Sequence, residues 1–95
     1  MTSQPLRLRH NSFHRSGHRV RSTDGKSVST VAGSGIRGYR DGPAHLAAFN
    51  HPYDVAADQD GVYIADAYNH VIRRYITSSR TVTTVAGEQP LINNY

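Results

Sequence analysis

The chain has no cysteine among its 95 residues, which excludes disulfides and thiolate metal sites. The sequence therefore gives no indication of the redox compartment. No apolar run approaches the roughly 20 residues that a membrane helix requires, and no apolar segment follows the first charges as a secretory signal requires. With 37% hydrophobic residues, we expect at most one small, soluble domain with little core. No cofactor is predicted, and the cellular location is left open.

Acidic residues are scarce at the start of the chain. Residues 1–26 contain six basic residues and only Asp24 as an acid, whereas residues 27–95 contain five basic and six acidic residues. The first segment also contains His10, His14 and His18 and few large apolar side chains. Such a composition buries too little surface to offset the entropy of ordering. The sequence therefore predicts a disordered basic arm over residues 1–26.

Three functional interpretations of this arm compete with a plain solvated tail. Its arginines and serines suit an organelle transit peptide, its charge suits attachment to nucleic acid or anionic lipid, and the three histidines at four-residue intervals suit metal ligation on a helix. The residues favour none of them. An apolar helical face is nearly absent, Phe13 is the only aromatic residue for base stacking, and residues 12–17 form helix poorly.

The central segment has the pattern of an antiparallel meander. Residues 53–57, 62–65 and 71–76 are rich in β-branched, aromatic and small apolar residues, as strands are. Asp60-Gly61 between the first two segments is a turn signal, because this pair readily adopts positive φ. Residues 81–87 supply a fourth strand.

This fourth strand has an earlier copy. Residues 27–33 read S-V-S-T-V-A-G and residues 81–87 read T-V-T-T-V-A-G, with five of seven positions identical. The two copies lie 54 residues apart, measured from Val28 to Val82. Repetition at such a period indicates stacked supersecondary units such as solenoids or propellers.

The segment P-Y-D-V-A-A-D-Q-D-G-V-Y-I-A-D-A-Y-N-H-V-I-R-R, followed by V-T-T-V-A-G, resembles an NHL repeat. That family builds β-propeller blades and takes its name from an Asn-His-Leu signature. The corresponding residues here are Asn69, His70 and Val71. Residues 33–52 also resemble the segment that connects one blade to the next.

The resemblance implies an all-β fold made of a single four-stranded antiparallel meander, a β-propeller blade, with a disordered basic N-terminal arm. We expect the outer strand of a preceding blade at 27–33, a Gly-rich connection at 34–52, the NHL-type blade at 53–87 and a tail at 88–95. Propellers close with about four to eight blades, so an incomplete propeller is expected. The missing blades come either from a longer chain, of which this is a fragment, or from head-to-tail self-assembly.

The Gly-rich connection contains a second motif. Residues 33–38, G-S-G-I-R-G, match G-x-G-x-x-G. A dinucleotide site also needs a preceding parallel strand and a following long helix. Since neither is predicted, we interpret the glycines as parts of tight connecting turns.

The resemblance implies a binding or scaffold role for the propeller loops, with a protein or small ligand as partner and without catalysis. The candidate contact residues at one rim are Arg40, Asn50, His51, Tyr53, Asp66, Tyr68, Asn69 and His70. Asp66 and Asn69 also suit a structural role, because both accept backbone N–H bonds in turns.

Two other functions remain as alternatives. In a propeller enzyme of lyase or hydrolase type, His51, Asp66 and His70 would act as metal ligands or general bases. In an RNA-binding propeller, the arginines of the folded part would contact phosphate. Aspartates interleave with those arginines, however, so no clear basic stripe is predicted and nucleic acid is not the favoured partner.

Overall fold

The computed structural model describes residues 12–87, which form β-strands and two short 3₁₀ turns. The strands are β1 (Ser12–Ser16), β2 (Arg19–Thr23), β3 (Val28–Ala32), β4 (Gly42–Pro43), β5 (Pro52–Ala57), β6 (Gly61–Asp66), β7 (Val71–Ile76) and β8 (Thr81–Gly87). The turns span Ala44–Leu46 and Ala67–Asn69. The all-β prediction is confirmed. No helix within this range has the length and apolar character to cross a membrane. The tail predicted at 88–95 lies outside the described residues.

Strands β5 to β8 form the predicted four-stranded antiparallel meander, and β4 adds to the outer edge of β8. We call these five strands the second sheet. Its first turn is closed by Asp58, whose Oδ1 accepts hydrogen bonds from the backbone N–H groups of Asp60 and Gly61, both at 2.9 Å. This Asx-type bonding explains why the Asp-rich segment reverses the chain there.

Strands β1, β2 and β3 form a separate antiparallel sheet, which we call the first sheet. The prediction of a disordered arm over residues 1–26 is therefore wrong where β1 and β2 lie, at residues 12–16 and 19–23. Residues 1–11 of the predicted arm lie outside the described range.

Local turn chemistry explains how this polar segment forms strands. Gly17 and His18 link β1 to β2 and have φ of 59° and 62°, the positive values that two-residue hairpin loops of type I′ require. Asp24 closes the next turn, because its Oδ1 accepts hydrogen bonds from the N–H groups of Lys26 at 2.8 Å and Ser27 at 3.0 Å. Only one face of the sheet is buried, so few apolar residues are enough.

The core lies between the two sheets. Val20 and Ala32 of the first sheet meet Val62, Ile64 and Val82 of the second, and all five side chains are fully buried. Phe13 packs against the edge of this cluster. The predicted arm therefore supplies part of the core.

The Gly-rich connection is fixed to the core by its backbone. Gly33 N–H donates to the carbonyl of Ala44 at 2.9 Å, and Gly38 N–H donates to the carbonyl of Phe49 at 2.9 Å. Phe49 is fully buried, whereas Leu46 is 40% exposed. The short 3₁₀ turn directs Ala44 and Ala47 inward, so these two alanines and Phe49 are the residues of this segment that pack on the core.

The internal repeat extends beyond the strand that the sequence reveals. His18 and His70 precede β2 and β7, and both have left-handed backbones, with φ of 62° and 60°. Gly33 follows β3, the partner of β2, and Gly87 is the last residue of β8, the partner of β7. Gly33 lies against His18, and Gly87 lies against His70. A Cβ added to Gly33 would lie 2.8 Å from the His18 carbonyl oxygen, and one added to Gly87 would lie 2.6 Å from that of His70. The two units therefore share one local geometry.

The strand register extends this correspondence. The pairing of β2 with β3 slips between Val20 and Arg21, and the pairing of β7 with β8 slips between Ile72 and Arg73. After the slip, Arg21 pairs with Thr30 as Arg73 pairs with Thr84. Strands β1–β3 thus correspond to β6–β8, and Arg21 occupies the position of Arg73.

The corresponding faces of the two sheets differ in polarity. In the second sheet the face against the core presents Val62, Ile64, Tyr75 and Val82. The corresponding residues of the first sheet are Ser12, His14, Thr23 and Val28. With Arg19, Arg21 and Thr30 they form what we call the outward face, which points away from the second sheet. The first sheet therefore presents a largely polar surface away from the core, unlike the second sheet.

The opposite side of the second sheet, which we call the far face, presents Tyr63, Ala65, Ile72, Arg74 and Ala86. Ile72 and Ala86 correspond to Val20 and Ala32, which the second sheet covers. Within residues 12–87 nothing covers the far face in the same way, and Tyr63 and Ile72 are 43% and 36% exposed. The described residues form an incomplete propeller.

Candidate functional site

An open cleft of about 410 Å³ lies where the β1–β2 hairpin meets the start of β5. Residues 15–18, 51–53 and 67–68 line this rim cleft. Both sheets therefore contribute to it, and the 3₁₀ turn Ala67–Asn69 supplies one wall.

Two histidines join the sheets at the rim cleft. The backbone N–H of His51 donates to His18 Nδ1 at 3.1 Å, and His51 Nδ1 lies 2.7 Å from Asn50 Oδ1. Because Nδ1 of His18 accepts a hydrogen bond, the neutral ring carries its proton on Nε2. His51 has φ of 55°, a left-handed backbone that is uncommon for a residue with a side chain. Residues with such sparsely populated backbone conformations concentrate at functional sites.

Aromatic rings cover one side of the rim cleft. The His51 ring stacks on Tyr68 with centroids 4.0 Å apart, and His18 meets His51 edge-on at 4.7 Å. Tyr53 and Tyr68 are 70% and 63% exposed. Arg15 Nε donates to the Tyr53 carbonyl at 2.5 Å, and its terminal nitrogens make no hydrogen bond within residues 12–87. The cleft combines ring faces with a guanidinium that is free to bind an anion.

Asp66 lies beneath the cleft and is fully buried. Its Oδ1 accepts from the Asn50 N–H at 2.7 Å, and its Oδ2 accepts from Asn69 Nδ2 at 2.8 Å and Arg73 Nη1 at 2.6 Å. Asn69 Nδ2 also donates to the carbonyl of Gly38 at 2.8 Å. The aspartate therefore joins the Ala67–Asn69 turn to the Gly-rich connection. Both of its carboxylate oxygens accept hydrogen bonds from the chain itself.

Arg73 is the centre of this network, and its side chain is fully buried. Nε and Nη2 donate to Asp41 Oδ1 at 3.0 and 2.7 Å, and Nη1 donates to Asp66. The remaining donors reach the carbonyls of Ala48 at 2.8 Å and Arg40 at 2.7 Å. Five hydrogen bonds thus reach four acceptor atoms, with Asp41 Oδ1 accepting two, and all donors of the buried guanidinium are satisfied.

The structure separates the predicted contact residues into three groups. His51, Tyr53 and Tyr68 line the rim cleft, with Asn50 beside them. Asp66 and Asn69 are buried in the Arg73 network, so they are not available for surface contact. Arg40 and His70 are exposed and do not line the cleft. Asp66 accepts a backbone N–H bond from Asn50, as the structural role considered for it predicts, whereas Asn69 donates through Nδ2 to Gly38 and Asp66.

Sequence reasoning missed Arg15 and His18 as residues of the site, because both lie in the segment interpreted as a disordered arm. The signal that would have found them is the Ser16-Gly17 turn between Phe13 and Val20, since Gly between two alternating segments favours a hairpin. Asp24-Gly25 before the Val28 strand is a second turn signal of the same kind.

Potential metal ligands are not clustered in the described part of the chain, where no group of three or more His, Cys, Asp or Glu residues is placed to hold an ion. His18 and His51 are neighbours, but the carboxylate nearest in the network, Asp66, faces Arg73.

No protein-family model matches the chain. NHL repeat-containing protein 2 of Gallus gallus is 40% identical over 72 residues, which is 74% of this chain and 10% of the relative. Protein SUPPRESSOR OF QUENCHING 1, chloroplastic, of Arabidopsis thaliana is 36% identical over 62 residues, 63% of this chain and 6% of the relative. NHL repeat-containing protein 2 of Bos taurus is 40% identical over 50 residues, 53% of this chain and 7% of the relative.

The chain thus spans a tenth or less of the length of these relatives. Two of these relatives, each 40% identical over the matched residues, are named for NHL repeats. The Asn69-His70-Val71 turn, the repeated V-A-G strand ends and the four-stranded meander agree with that likeness. The chain belongs to the NHL-repeat family of β-propeller proteins.

Proposed function

We propose that this protein is a binding module without catalytic activity, which recognises a protein or small ligand at the rim cleft. The observation that carries the proposal is the pair of exposed tyrosines, Tyr53 and Tyr68, beside the unpaired end of Arg15. Tyrosine and arginine are enriched among the few residues that dominate the binding energy of protein interfaces. The three residues come from both sheets, so folding brings them together.

The rim cleft favours a ligand that has a ring and an anionic group. The Tyr68 and His51 rings offer a stacking surface, and the planar guanidinium of Arg15 suits a carboxylate or phosphate. A volume of about 410 Å³ lies within the range of small-molecule sites and also accommodates one large side chain. The His51 to His18 hydrogen bond preorganises the cleft, which lowers the entropic cost of binding.

The non-catalytic part of the proposal is supported by the state of Asp66. A general base needs a carboxylate oxygen that reaches the substrate. Both oxygens of Asp66 accept hydrogen bonds from other residues of the chain, and the side chain is fully buried. Asp66, one of the three residues considered for the enzyme alternative, is therefore engaged in structural contacts.

The test is a ¹H–¹⁵N NMR titration with phenylacetate, which carries a ring and a carboxylate. We expect shifts at Arg15, His51 and Tyr68, and loss of those shifts in Tyr68→Ala and in Arg15→Gln. The matched control is Tyr63→Ala, because Tyr63 is an exposed tyrosine on the far face. Shifts that are absent, or equal in Tyr68→Ala and the unmodified chain, contradict the proposal.

We further propose that another NHL-type sheet covers the far face and belongs to the same longer polypeptide. The exposed Ile72 and Tyr63 suit an apolar sheet. A second copy of this chain offers only the polar outward face of its first sheet for head-to-tail stacking. The relatives are much longer than this chain, which supports a longer polypeptide as the origin of the covering sheet.

Sedimentation equilibrium tests this second proposal. We expect the 95-residue chain to sediment as a monomer and to bind a hydrophobic dye. Ile72→Ser should lower the dye binding. A closed ring of several copies would contradict the proposal and favour self-assembly.

A further inference from the structure

We propose that a second cleft, between the outer edges of the two sheets, binds a phosphate monoester, with the Arg80 guanidinium and the Tyr75 hydroxyl holding the phosphate group. This edge cleft has a volume of about 420 Å³ and is lined by residues 30–31, 44–45, 75, 77 and 80. It opens between the edge strand β3 and the β7–β8 turn. Further propeller blades pack against the outward face and the far face, and not into a space between the two sheets of this chain.

Arg80 has a backbone conformation that favours glycine. Its φ is 55°, in the left-handed region. Its N–H donates to the Ile76 carbonyl at 2.8 Å, and its carbonyl accepts from the Ala44 N–H at 2.9 Å, so the backbone is fixed on both sides. The side chain is exposed and makes no hydrogen bond or ion pair within residues 12–87. An arginine at such a position, without a contact that stabilises the fold, indicates a functional role.

Tyr75 gives an independent indication of a ligand. The residue is only 8% exposed, and its ring belongs to the core. Its hydroxyl makes no hydrogen bond to any residue of the described range. The hydroxyl is not sealed in the core either, because the sealed and unpaired side-chain atoms of this range are arginine nitrogens. A buried tyrosine usually finds a partner for its hydroxyl. The edge cleft, which Tyr75 lines, is where a ligand can supply that partner.

The remaining polar groups of the edge cleft are also donors. The imidazole of His45 and the hydroxyl of Thr77 line it, and neither side chain is hydrogen-bonded within residues 12–87. None of the described residues in its lining is Asp or Glu, and Asp60 lines a neighbouring hollow instead. The guanidinium of Arg80 can donate two bonds to one phosphate. Donors on several elements suit a tetrahedral phosphate better than a planar carboxylate.

The apolar part of the edge cleft favours an ester over inorganic phosphate. Val31 is partly buried and packs against the core, and Ala44 is buried beside it. A volume of about 420 Å³ lies within the range of small-molecule sites and exceeds what a phosphate group fills. The organic group of a monoester can therefore lie against Val31 and Ala44 while Arg80 holds the phosphate.

The test is a ¹H–¹⁵N NMR titration of the 95-residue chain with phenyl phosphate at constant ionic strength. We expect shifts at His45, Thr77 and Arg80. Arg80→Gly should weaken binding about tenfold or more without lowering the melting temperature, because glycine adopts positive φ freely. Tyr75→Phe keeps the ring in the core and should weaken binding about fivefold. The matched control is Arg37→Gln, an exposed arginine on the Gly-rich connection, which should change the affinity less than about twofold.

Equal affinity in Arg80→Gly and the unmodified chain overturns the proposal, as do shifts at the edge cleft that phenol reproduces. Equal shifts there with phenylacetate overturn the choice of phosphate. If the melting temperature of Arg80→Gly falls, the arginine has a structural role and Tyr75→Phe decides, since unchanged affinity in that variant overturns the proposal. Sedimentation with vesicles containing phosphatidic acid, lost in Arg80→Gly, places the monoester on a lipid instead of a soluble molecule.

The edge cleft and the rim cleft share no lining residue. Shifts at Arg15, His51 and Tyr68 report on the rim cleft, and shifts at Thr77 and Arg80 report on the edge cleft. Either proposal can therefore fail without the other.

Discussion

Arg73 Nη1 and Asp66 Oδ2 lie 2.6 Å apart, and neither side chain is exposed. The pair joins β7 to the end of β6, and the same arginine reaches the Gly-rich connection through Asp41. Removing one partner of such a buried pair leaves the other charge without compensation.

Asp66→Asn should therefore lower the free energy of unfolding by about 3–5 kcal/mol. The control is Asp54→Asn, because Asp54 is exposed and accepts a bond only from the neighbouring Val55 N–H. That change should stay within about 0.5 kcal/mol. Urea denaturation followed by circular dichroism measures both. Equal stability of the two variants would show that the Arg73 network contributes little.

Substitution of Gly33 tests how closely the start of the Gly-rich connection approaches the backbone of His18 and Arg19. Gly33 and Gly25 have φ of 105° and 95°, but only Gly33 has backbone atoms within 3 Å of an added Cβ. Gly25→Ala should carry the cost of positive φ alone. Gly33→Ala should cost about 1–3 kcal/mol more, because backbone must move. Thermal unfolding of both variants gives the difference, and a difference near zero would contradict the close approach.

His18 tests the link between the sheets. The Oδ1 of asparagine lies near the position of histidine Nδ1, and asparagine tolerates a left-handed backbone. His18→Asn should therefore keep the hydrogen bond from His51 N–H, whereas His18→Ala should lose about 1 kcal/mol. Hydrogen exchange of the His51 amide measures the bond directly. Equal protection in both variants would show that the amide has another partner.

Asp58 gives a pH dependence whose sign follows from its contacts. The hydrogen bond from Arg74, together with those from the Asp60 and Gly61 N–H groups, lowers the pKa of Asp58 below its usual 3.8. A carboxyl whose folded pKa is lowered stabilises the fold above the unfolded pKa, and this contribution is lost as the pH falls through the folded pKa. Stability should therefore decline below about pH 4, and less steeply in Asp58→Asn.

Carbon-detected NMR titration of the Asp58 carboxyl checks this prediction. Arg74→Gln removes the largest cause and should raise the pKa of Asp58 toward 3.8. An unchanged titration curve in Arg74→Gln would assign the shift to the backbone N–H groups alone.

The meander was predictable from the sequence because its turn chemistry and its strand composition agree. Asp58 to Gly61 mark the reversal, and Val62 and Ile64 alternate toward the core. The repeated V-A-G ends identified the stacked units. These signals are local, so a single sequence contains them.

The first sheet was not predictable from composition, because its outward face replaces apolar residues with Ser12, His14 and Thr23. The buried arginine was also beyond sequence reasoning. Arg73 and Arg74 are both buried, and each forms an ion pair with an aspartate. The acceptors of Arg73 include Arg40 and Ala48 carbonyls, which come from distant positions and are not encoded by side-chain type.

The outward face of the first sheet is polar, whereas the far face of the second sheet exposes Tyr63 and Ile72. A further apolar sheet can pack against the far face beside β7 and β8, whereas the outward face beside β1 and β2 presents hydroxyls and cations to its neighbour. In a closed propeller the two blades that flank this chain should therefore differ, with an apolar contact surface on one side and a polar contact surface on the other.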